Sequence, residues 1–478
     1  MTTPHQSQSP ATPKPTPRYP ITHIIVLLIL LAVGVTIALV AYFRSEPAPP
    51  NIVFILIDTL RADHLEAYGY DRQTAPNLAK LADRGVLFDR CIAPSSLTKT
   101  SMAAILCARN PSGTGVIQVD DVIPKHLTTL AEALRDGGYE TIGINTNPWL
   151  IADQFGFEAG YDYYHTFPGG EEEPAAPFDA VRDMTLDQLR RRQTDRPLFL
   201  YLHLMDTHYP YAPSKPYFNE PPLSLPGLGT VTDQRLAKLY CIYTKPQDEA
   251  QRTQHQLDRP DVRRRVIDLY NAEIRQLDHA IGQFIDQMKS MGYDRNTIYV
   301  ITSDHGEEFR EHGRTLHGWN LYPEVLHVPL IFHAPGLLPP RTRIGAQVRG
   351  IDIAPTIVDI AGLQAPGTFE GRSLWPMDDA LIRRPPAVAA LGPNTRILDR
   401  HYVAVVTPEH LYIREKTTGQ IEFYNLRTDP AAQSDLGPDH ESVNLYVEIE
   451  QADERTTPTE KAELDEDLIN RLKSAGYF

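Results

Sequence analysis

Apolar residues occur along this chain in two kinds of run, and the two kinds alternate over most of its length. Short runs that are apolar throughout are typical of strands buried on both faces of a sheet; they lie at 52–57, 141–144, 198–204, 297–302 and 328–332. In 266–288 the apolar residues recur with a helical period, which predicts a long amphipathic helix. The alternation predicts an α/β fold with helices on both faces of a sheet whose buried strands are typical of parallel pairing.

Two stretches depart from this alternation. Residues 213–259 are polar and proline-rich, which predicts an inserted loop or lid over the edge of the sheet. Nearer the C-terminus, short strand-like runs predict a small antiparallel sub-domain, and the tail after it is acidic with one helix near 461–474. We therefore predict a large α/β domain at 51–390, a small-sheet sub-domain at 391–440 and an acidic tail at 441–478.

The longest apolar run lies near the N-terminus, at 21–43, and carries no charged residue. About 20 such residues form a helix of about 30 Å, which is long enough to cross a membrane. Lys14 and Arg18 precede the run, and this bias places the N-terminal end in the cytoplasm. The run is long for a cleaved signal peptide, which favours an uncleaved anchor. The predicted order is a disordered cytoplasmic tail (1–20), a transmembrane helix (21–43), a linker (44–50) and a periplasmic or extracellular domain.

Composition adds two restrictions. Lysine and arginine number 46 and aspartate and glutamate 61, so the net charge of −15 argues against nucleic acid as a partner. The cysteines Cys91, Cys107 and Cys241 fit no zinc-binding or redox spacing and imply no disulfide scaffold at this length. The acidic surface does not restrict the substrate, because one bound metal ion reverses the local field in a cleft.

Metal-type side chains follow two of the predicted strands. Asp58 comes directly after 52–57, and Asp304 and His305 come after 297–302. Because ligands of open α/β sheets bind beyond the carboxyl ends of the strands, we expect these side chains to lie close together. A single aspartate there is more often a helix N-cap or turn former, whereas two carboxylates and an imidazole suit one divalent cation. The sequence predicts one such ion, with calcium, manganese, magnesium and zinc left open.

A candidate nucleophile lies between these two positions. Residues 99–108 predict a helix with small residues on one side, and Thr98 stands just before its first turn. The free backbone amides and the helix dipole favour an oxyanion there. Taken alone, Thr98 is an ordinary N-cap. Beside metal-type residues it is a candidate alkoxide nucleophile, because a bound cation lowers the pKa of a coordinated oxygen.

Several blocks of the sequence resemble one known family, in that family's order. They are IVFILIDTLRADHLEAYGY (52–70), TSDHGEEFREHGRTLHGWNLYPEVLHVPLIF (302–332), VRGIDIAPTIVDIAGL (348–363), FEGRSL (369–374) and EFYNLRTDPAAQSDL (422–436). These blocks are similar to sulfatase-like hydrolases of the alkaline phosphatase superfamily, and the similarity runs from about residue 50 to residue 436. The resemblance implies that family's α/β fold, with a central mixed sheet, helices on both faces and a small C-terminal antiparallel sub-domain. It also implies metal-dependent ester chemistry.

The resemblance also implies roles for individual residues. Asp58, Asp304 and His305 fall at its metal-ligand positions, and Thr98 falls at the position of the nucleophile, which also binds the metal. True sulfatases carry there a cysteine or serine within C-x-P-S-R, which is oxidised to formylglycine. This chain reads TKTSM, so that Thr98 replaces the cysteine and only Ser101 is retained. Threonine at this position is similar to phosphodiesterase, phosphonate hydrolase and headgroup transferase relatives.

Histidines outside the metal motif complete the site that the resemblance implies. LYLHLMDTHYPY resembles the family's D-P-H-x-P-Y block, which assigns His208 to substrate contact or to proton donation to the leaving oxygen. His317 falls where relatives contact the transferred group or bind a second zinc. His312 is a weaker candidate, and His203 is expected in the core.

Three positions depart from the sulfatase pattern. Thr59 replaces a second metal-binding aspartate, and Asn145 and Asn147 replace a lysine and a histidine. These losses weaken the case for a sulfate ester as the substrate.

Together these observations predict metal-dependent hydrolysis of a sulfate, phosphate or phosphonate ester through a threonine nucleophile at the outer face of a membrane. The expected substrate is a small-molecule, glycan or lipid ester. Two alternatives remain open: a transferase that moves a phospholipid headgroup to an envelope glycan, and a non-catalytic binding protein on the same fold.

Overall fold

A computed structural model describes residues 21–44, 48–167, 176–242, 248–378, 385–393, 400–454, 457–462 and 466. The chain divides into two units, Met1–Ala48 and Pro49–Phe478. The predicted disordered tail at 1–20 and most of the predicted helix at 461–474 lie outside the described residues.

The described part of the first unit contains one helix, α1 (Ile21–Arg44). Among the helices that the structure describes, none combines the length and the apolar character that crossing a membrane requires. The predicted transmembrane helix at 21–43 is therefore not supported.

The second unit contains the remaining elements. Its strands are β1 (Asn51–Ile57), β2 (Val86–Ile92), β3 (Glu140–Asn145), β4 (Tyr163–Thr166), β5 (Leu198–Leu204), β6 (Ser224–Leu225), β7 (Gly229–Thr230), β8 (Thr297–Thr302), β9 (Glu308–Phe309), β10 (Thr315–Leu316), β11 (His327–Val328), β12 (Leu330–His333), β13 (Thr342–Arg349), β14 (Ala387–Leu391), β15 (Tyr402–Val406), β16 (His410–Glu415) and β17 (Ile421–Asn425). Its α-helices are α2 (Pro76–Asp83), α3 (Thr98–Leu106), α4 (Pro111–Thr114), α5 (Leu130–Asp136), α6 (Phe178–Arg191), α7 (Asp233–Ile242), α8 (Glu249–His255), α9 (Pro260–Ser290), α10 (Pro323–Leu326), α11 (Ile353–Ile360) and α12 (Val443–Asp453).

A nine-stranded mixed sheet forms the centre of this unit. Its order is β11–β2–β12–β8–β1–β5–β3–β4, and β13 also pairs with β2. β1 is parallel to β8 on one side and to β5 on the other. β12 runs antiparallel to both β8 and β2. The predicted α/β fold with a central mixed sheet is confirmed, and the carboxyl ends of β1, β5 and β8 share one edge.

The sheet is buried because it has an apolar core on each face. Alternate residues of β1 face opposite sides, so that Phe54 joins one core with residues of α3 and α5, while Ile55 joins the other with residues of α9. Each such burial stabilises the fold by about 1.5–3 kcal/mol. The predicted helix at 266–288 lies within α9, which starts earlier because Pro260 occupies its first turn. The three cysteines are buried free thiols.

The stretches outside the predicted alternation also form regular elements. Residues 213–259 hold the β6–β7 hairpin, α7 and α8, and α7 packs against α9. β14 to β17 form a four-stranded antiparallel sheet, as the predicted sub-domain requires. Its first strand, Ala387–Leu391, begins four residues before the predicted boundary at 391.

Candidate functional site

Polar side chains converge where the carboxyl ends of β1, β5 and β8 meet. Asp58 follows β1, and its backbone N–H donates to the Leu204 carbonyl at the end of β5, 2.8 Å away. Asp304 and His305 follow β8, and His203 is the penultimate residue of β5. The side chains of Asp58, His203, Asp304 and His305 are fully buried, at 0% exposure. The arrangement is thus a closed polar cluster inside an apolar surround.

The turn after β1 orients Asp58. Thr59 has a φ of 57°, a left-handed conformation that is rare for a β-branched residue. Its hydroxyl donates to the Thr207 carbonyl at 3.0 Å, and the Tyr270 hydroxyl donates to the Thr59 carbonyl at 2.8 Å. Because the Thr59 hydroxyl is held by Thr207, this side chain does not take the place of a second metal-binding aspartate.

Each of the two carboxylates has one oxygen that is held and one that is not. Asp58 Oδ2 accepts from Asn147 Nδ2 at 2.7 Å and from His203 Nε2 at 3.1 Å. Asp304 Oδ1 accepts from the His305 backbone N–H at 3.0 Å. The buried Asp58 Oδ1 and Asp304 Oδ2 accept no hydrogen bond from the described residues. A buried carboxylate oxygen needs a donor or a cation, so these two oxygens fit a divalent metal ion.

His305 presents a nitrogen lone pair to the same place. Its Nδ1 lies 3.0 Å from the Gly306 carbonyl, and because a carbonyl only accepts, Nδ1 carries the proton of the neutral ring. Nε2 then lies 3.3 Å from Asp304 Oδ2 and 4.0 Å from Asp58 Oδ1. A backbone carbonyl that fixes the tautomer in this way is typical of metal-binding histidines. The two carboxylate oxygens without hydrogen-bond donors among the described residues therefore lie within 4.0 Å of one imidazole nitrogen.

Burial and mutual charge set the pKa values in this cluster. Burial raises the pKa of Asp304, and the negative charge of Asp58 adds to the rise. Burial opposes ionisation of Asp58 as well, but the hydrogen bond from His203 and the nearby histidines hold its pKa below the usual range. At His305 burial lowers the pKa, yet the charges of Asp304 and Asp58 outweigh burial and raise it. The cluster thus concentrates negative charge that a cation would stabilise.

Thr98 enters this cluster from the start of α3. The sequence placed it one residue before the helix, whereas the structure makes it the first helical residue, because the extended Leu97 takes the N-cap position. The Thr98 hydroxyl lies 3.2 Å from His305 Nε2 and 3.5 Å from Asp58 Oδ2. The neighbouring Ser101 hydroxyl donates to the Asp304 carbonyl at 2.6 Å and is held there. Thr98 therefore faces the metal-type residues.

Two further histidines line the same cluster. The ring of His317 lies 4.4 Å from that of His305 and 5.0 Å from that of His208, between centroids. The Nδ1 of His208 donates to the Tyr209 carbonyl at 2.6 Å. Burial lowers the pKa of both rings, that of His317 to about 3. The structure thus brings Asp58, Thr98, His208, Asp304, His305 and His317 into one cluster.

Glu307 belongs to the site and was missed from the sequence. Its Oε1 lies 2.9 Å from His317 Nδ1, and its Oε2 accepts from the Tyr211 hydroxyl at 2.7 Å. Complete burial raises its pKa to about 7. The signal for Glu307 was its place in the motif, two residues after His305, but spacing alone does not tell which glutamate of the pair Glu307–Glu308 turns inward.

His203 was expected in the core, and this expectation is wrong in one respect. The side chain is buried, but its Nε2 contacts Asp58 rather than apolar neighbours. In the parallel register His203 pairs with Leu56, two residues before Asp58. The strand order and register together predict the contact between His203 and Asp58, but the sequence of β5 alone specifies neither of them.

Two other expectations were also corrected or refined. Asn147, treated as a loss, holds Asp58 through its amide group, and Asn145 supports the same loop by donating to the Asn147 carbonyl at 2.8 Å. The His312 ring is hydrogen-bonded to Glu324 at 2.6 Å and to the Ala432 carbonyl at 2.9 Å. These contacts hold His312 outside the cluster.

Comparison with protein families matches residues 50–363 to the family described as Sulfatase. Residues 311–457 also match the family described as N-sulphoglucosamine sulphohydrolase, C-terminal. The first match covers more than half of the chain.

Individual relatives match most of the chain at low identity. N-acetylglucosamine-6-O-sulfatase of Bacteroides thetaiotaomicron is 23% identical over 493 residues, covering 86% of this chain and 87% of that protein. One protein, whose structure was solved in complex with its substrate D-glucosamine-2-N,6-O-disulfate, superposes on this chain with a TM-score of 0.67 at 20% identity. The match covers 89% of this chain and 98% of that protein chain. Phosphonate monoester hydrolase of Agrobacterium radiobacter has a TM-score of 0.63 at 17% identity, and the match covers 84% of this chain and 94% of that one. At these identities the solved structures show a common fold.

Proposed function

Because the chain belongs to the sulfatase family, we propose that this sulfatase-like ester hydrolase uses Thr98 as its nucleophile and acts on phosphorus esters in preference to sulfate esters. The observation that carries the proposal is the Thr98 hydroxyl, 3.2 Å from His305 Nε2 beside two buried carboxylates. That position holds the attacking oxygen where a divalent cation fits.

The metal would be held by Asp58, Asp304 and His305, and when bound it would supply the positive charge that favours ionised Thr98 and the developing oxyanion. The start of α3 adds backbone N–H groups and the positive end of a helix dipole at Thr98. As the oxygen of Thr98 loses its proton and bonds to phosphorus, the bond from phosphorus to the leaving oxygen breaks. Water then attacks the phosphorus, the bond from phosphorus to Thr98 Oγ1 breaks, and a proton from the water restores the Thr98 hydroxyl.

His208 or His317 is proposed to protonate the leaving oxygen. The His317 ring lies beside His305 and the His208 ring lies beside His317, and both have pKa values lowered by burial. A lowered pKa makes the protonated ring a stronger acid while reducing the fraction that is protonated. Proton donation by one of these rings therefore matters most for esters whose leaving groups are poor.

The identity of residue 98 separates phosphorus from sulfate chemistry. Release of sulfate from formylglycine needs a second hydroxyl on the same carbon, and threonine has none. A phosphothreonine adduct, in contrast, is cleaved by water attacking phosphorus. The shared fold of the phosphonate monoester hydrolase is compatible with this preference.

The test is a screen of the purified protein against aryl sulfate, phosphate monoester, phosphate diester and phosphonate monoester, each with calcium, manganese, magnesium and zinc. We expect the highest kcat/KM with a phosphorus ester. A strong preference for the sulfate ester, or normal turnover by Thr98→Ala, would refute the threonine mechanism.

The two alternatives are less well supported. A non-catalytic binding protein has no need to retain ligand-type residues, whereas Asp58, Asp304 and His305 are all present and converge. A headgroup transferase is disfavoured because the relatives described above are named as hydrolases.

The location of the domain stays a prediction. We propose the outer side of a membrane, on the evidence of Lys14 and Arg18 before the apolar run at 21–43. Protease added to spheroplasts should then digest the domain from Pro50 onward, and protection of the domain would place it in the cytoplasm.

A further inference from the structure

The two oxygens of Asp58 have different surroundings, and this asymmetry has a source in β5. Oδ2 is held by Asn147 and His203, while Oδ1 receives no hydrogen bond from the described residues. A carboxylate free to rotate could exchange the two oxygens. Groups that hold Oδ2 therefore decide which oxygen faces Asp304 and His305.

His203 and Tyr201 lie on one face of β5, since residues two apart in a strand share a face. The intervening Leu202 faces the other core. The Tyr201 hydroxyl lies 2.9 Å from His203 Nδ1, and both side chains are buried. The two residues thus form a polar line, Tyr201–His203–Asp58, that starts in an apolar core and ends at the proposed metal site.

The direction of the hydrogen bonds along this line follows from the partners. The Tyr201 hydroxyl has no other hydrogen-bond partner among the described residues, and a buried hydroxyl donates its proton. His203 Nδ1 is then the acceptor, and the proton of the neutral ring is on Nε2. A carboxylate oxygen only accepts, so His203 Nε2 donates to Asp58 Oδ2 across 3.1 Å.

We propose that His203, oriented by Tyr201, is a positioning residue that holds Asp58 Oδ2 and thereby turns Oδ1 toward the cation. This inference rests on the proposed metal site and adds the residues that tune it. Groups that orient a metal ligand in this way typically change metal affinity by 10- to 100-fold when removed.

The competing arrangement makes His203 a ligand itself. Single ligand atoms of Asp58, His203 and Asp304 do lie within 4.8 Å of one another. Ligation through Nε2 would require the ring proton to move to Nδ1, which would then donate to Tyr201. The Tyr201 proton would then be buried without an acceptor among the described residues, and an unsatisfied buried donor is unfavourable.

The experiment uses the full-length protein, stripped of metal and titrated with Zn²⁺ by calorimetry. His203→Phe removes both nitrogens, Tyr201→Phe removes only the hydroxyl, and His203→Gln keeps a donor near the Nε2 position. His333→Phe is the control, since His333 is buried at the end of β12 that pairs with the start of β8, away from the site. X-ray absorption of the Zn²⁺ forms counts the nitrogen ligands.

We expect His203→Phe to bind Zn²⁺ about 10- to 100-fold more weakly, Tyr201→Phe to show a smaller loss, and His203→Gln to stay near wild type. The nitrogen count should be the same in all forms. Loss of one nitrogen ligand in His203→Gln would show that His203 binds the metal directly and overturn the proposal.

Other results would also overturn it. Unchanged affinity in both His203→Phe and Tyr201→Phe, with only a lower melting temperature, would show a purely structural pair. If His203→Phe does not fold, an unchanged Zn²⁺ affinity in Tyr201→Phe would by itself show that the pair is purely structural. Failure of the wild-type protein to bind Zn²⁺, Ca²⁺, Mn²⁺ or Mg²⁺ in the same titration would refute the metal site itself, which distinguishes the two failures.

Discussion

The hydroxyl oxygen of Thr98 lies 3.2 Å from Nε2 of His305, a residue 207 positions away in the chain. The contact joins the first turn of α3 to the turn after β8. Because His305 Nδ1 donates to the Gly306 carbonyl, Nε2 is an acceptor and the Thr98 hydroxyl is its donor. The pair places an ionisable hydroxyl directly beside a metal-type nitrogen.

Removing this hydroxyl should abolish turnover. Thr98→Ala should lower kcat by about 10³-fold or more, because no alternative nucleophile takes its place, whereas Thr98→Ser keeps the oxygen and should retain part of the activity. Thr100→Val is the matched control, since Thr100 lies in the same turn outside the described cluster of metal-type side chains. Steady-state kinetics on a phosphonate or phosphate ester gives the answer, and an active Thr98→Ala protein would exclude Thr98 as the nucleophile.

Metal content should depend on the carboxylates of the cluster. Asp58→Asn and Asp304→Asn preserve shape but remove the charge that a cation needs, so both variants should lose bound metal and activity. Asp278→Asn changes another buried carboxylate, one that accepts from the Asn77 and Leu78 backbone amides, and should keep its metal. Elemental analysis of the purified proteins measures this directly. Metal retained at the wild-type ratio in Asp304→Asn would contradict the assignment.

Loss of the proton donor should depend on the leaving group. The proposed donor is His208 or His317, and each is changed to Ala and tested with a series of aryl esters. Loss of the donor should reduce kcat strongly for esters with poor leaving groups and weakly for those with good ones. The slope of log kcat against leaving-group pKa should therefore steepen. His312→Gln is the control, because His312 is held by Glu324 and the Ala432 carbonyl. Slopes that stay parallel in both variants would assign the proton to another group.

A buried glutamate away from the site should make stability depend on pH. Burial raises the pKa of Glu273 from 4.5 to about 8, while its Oε1 accepts from the Ala212 backbone N–H at 2.7 Å. An acid with a raised folded-state pKa contributes stability that is present at low pH and lost as pH rises through the folded value. Wild type should therefore lose stability between about pH 5 and pH 9 relative to Glu273→Gln, which keeps the acceptor.

The expected difference in unfolding free energy grows with pH to on the order of 1–4 kcal/mol. Denaturant titrations at pH 5, 7 and 9 measure it, and the exposed Glu441→Gln serves as the control. A wild-type to Glu273→Gln difference that is constant across this range would mean that Glu273 does not titrate in the folded protein as its burial requires.

Sequence alone determined the class of fold and most of the proposed ligands. The runs at 52–57 and 297–302 are short and apolar throughout, which is typical of strands buried on both faces of a sheet. Parallel strands end at one edge of a sheet, so the sequence by itself predicts that the residues that follow them, Asp58 and Asp304, lie close together. Local patterns sufficed for these predictions because each signal lies within a few residues of the group that it places.

Tertiary structure alone decided which other side chains complete the cluster. His203 reaches Asp58 only because β5 lies next to β1 in one register, and a strand's own pattern does not specify its neighbour. Glu307 turns inward because Tyr211 and His317, from two distant segments, bind its oxygens. Hydrogen bonds between segments far apart in the chain depend on packing of the whole sheet, and for that reason no local pattern contains them.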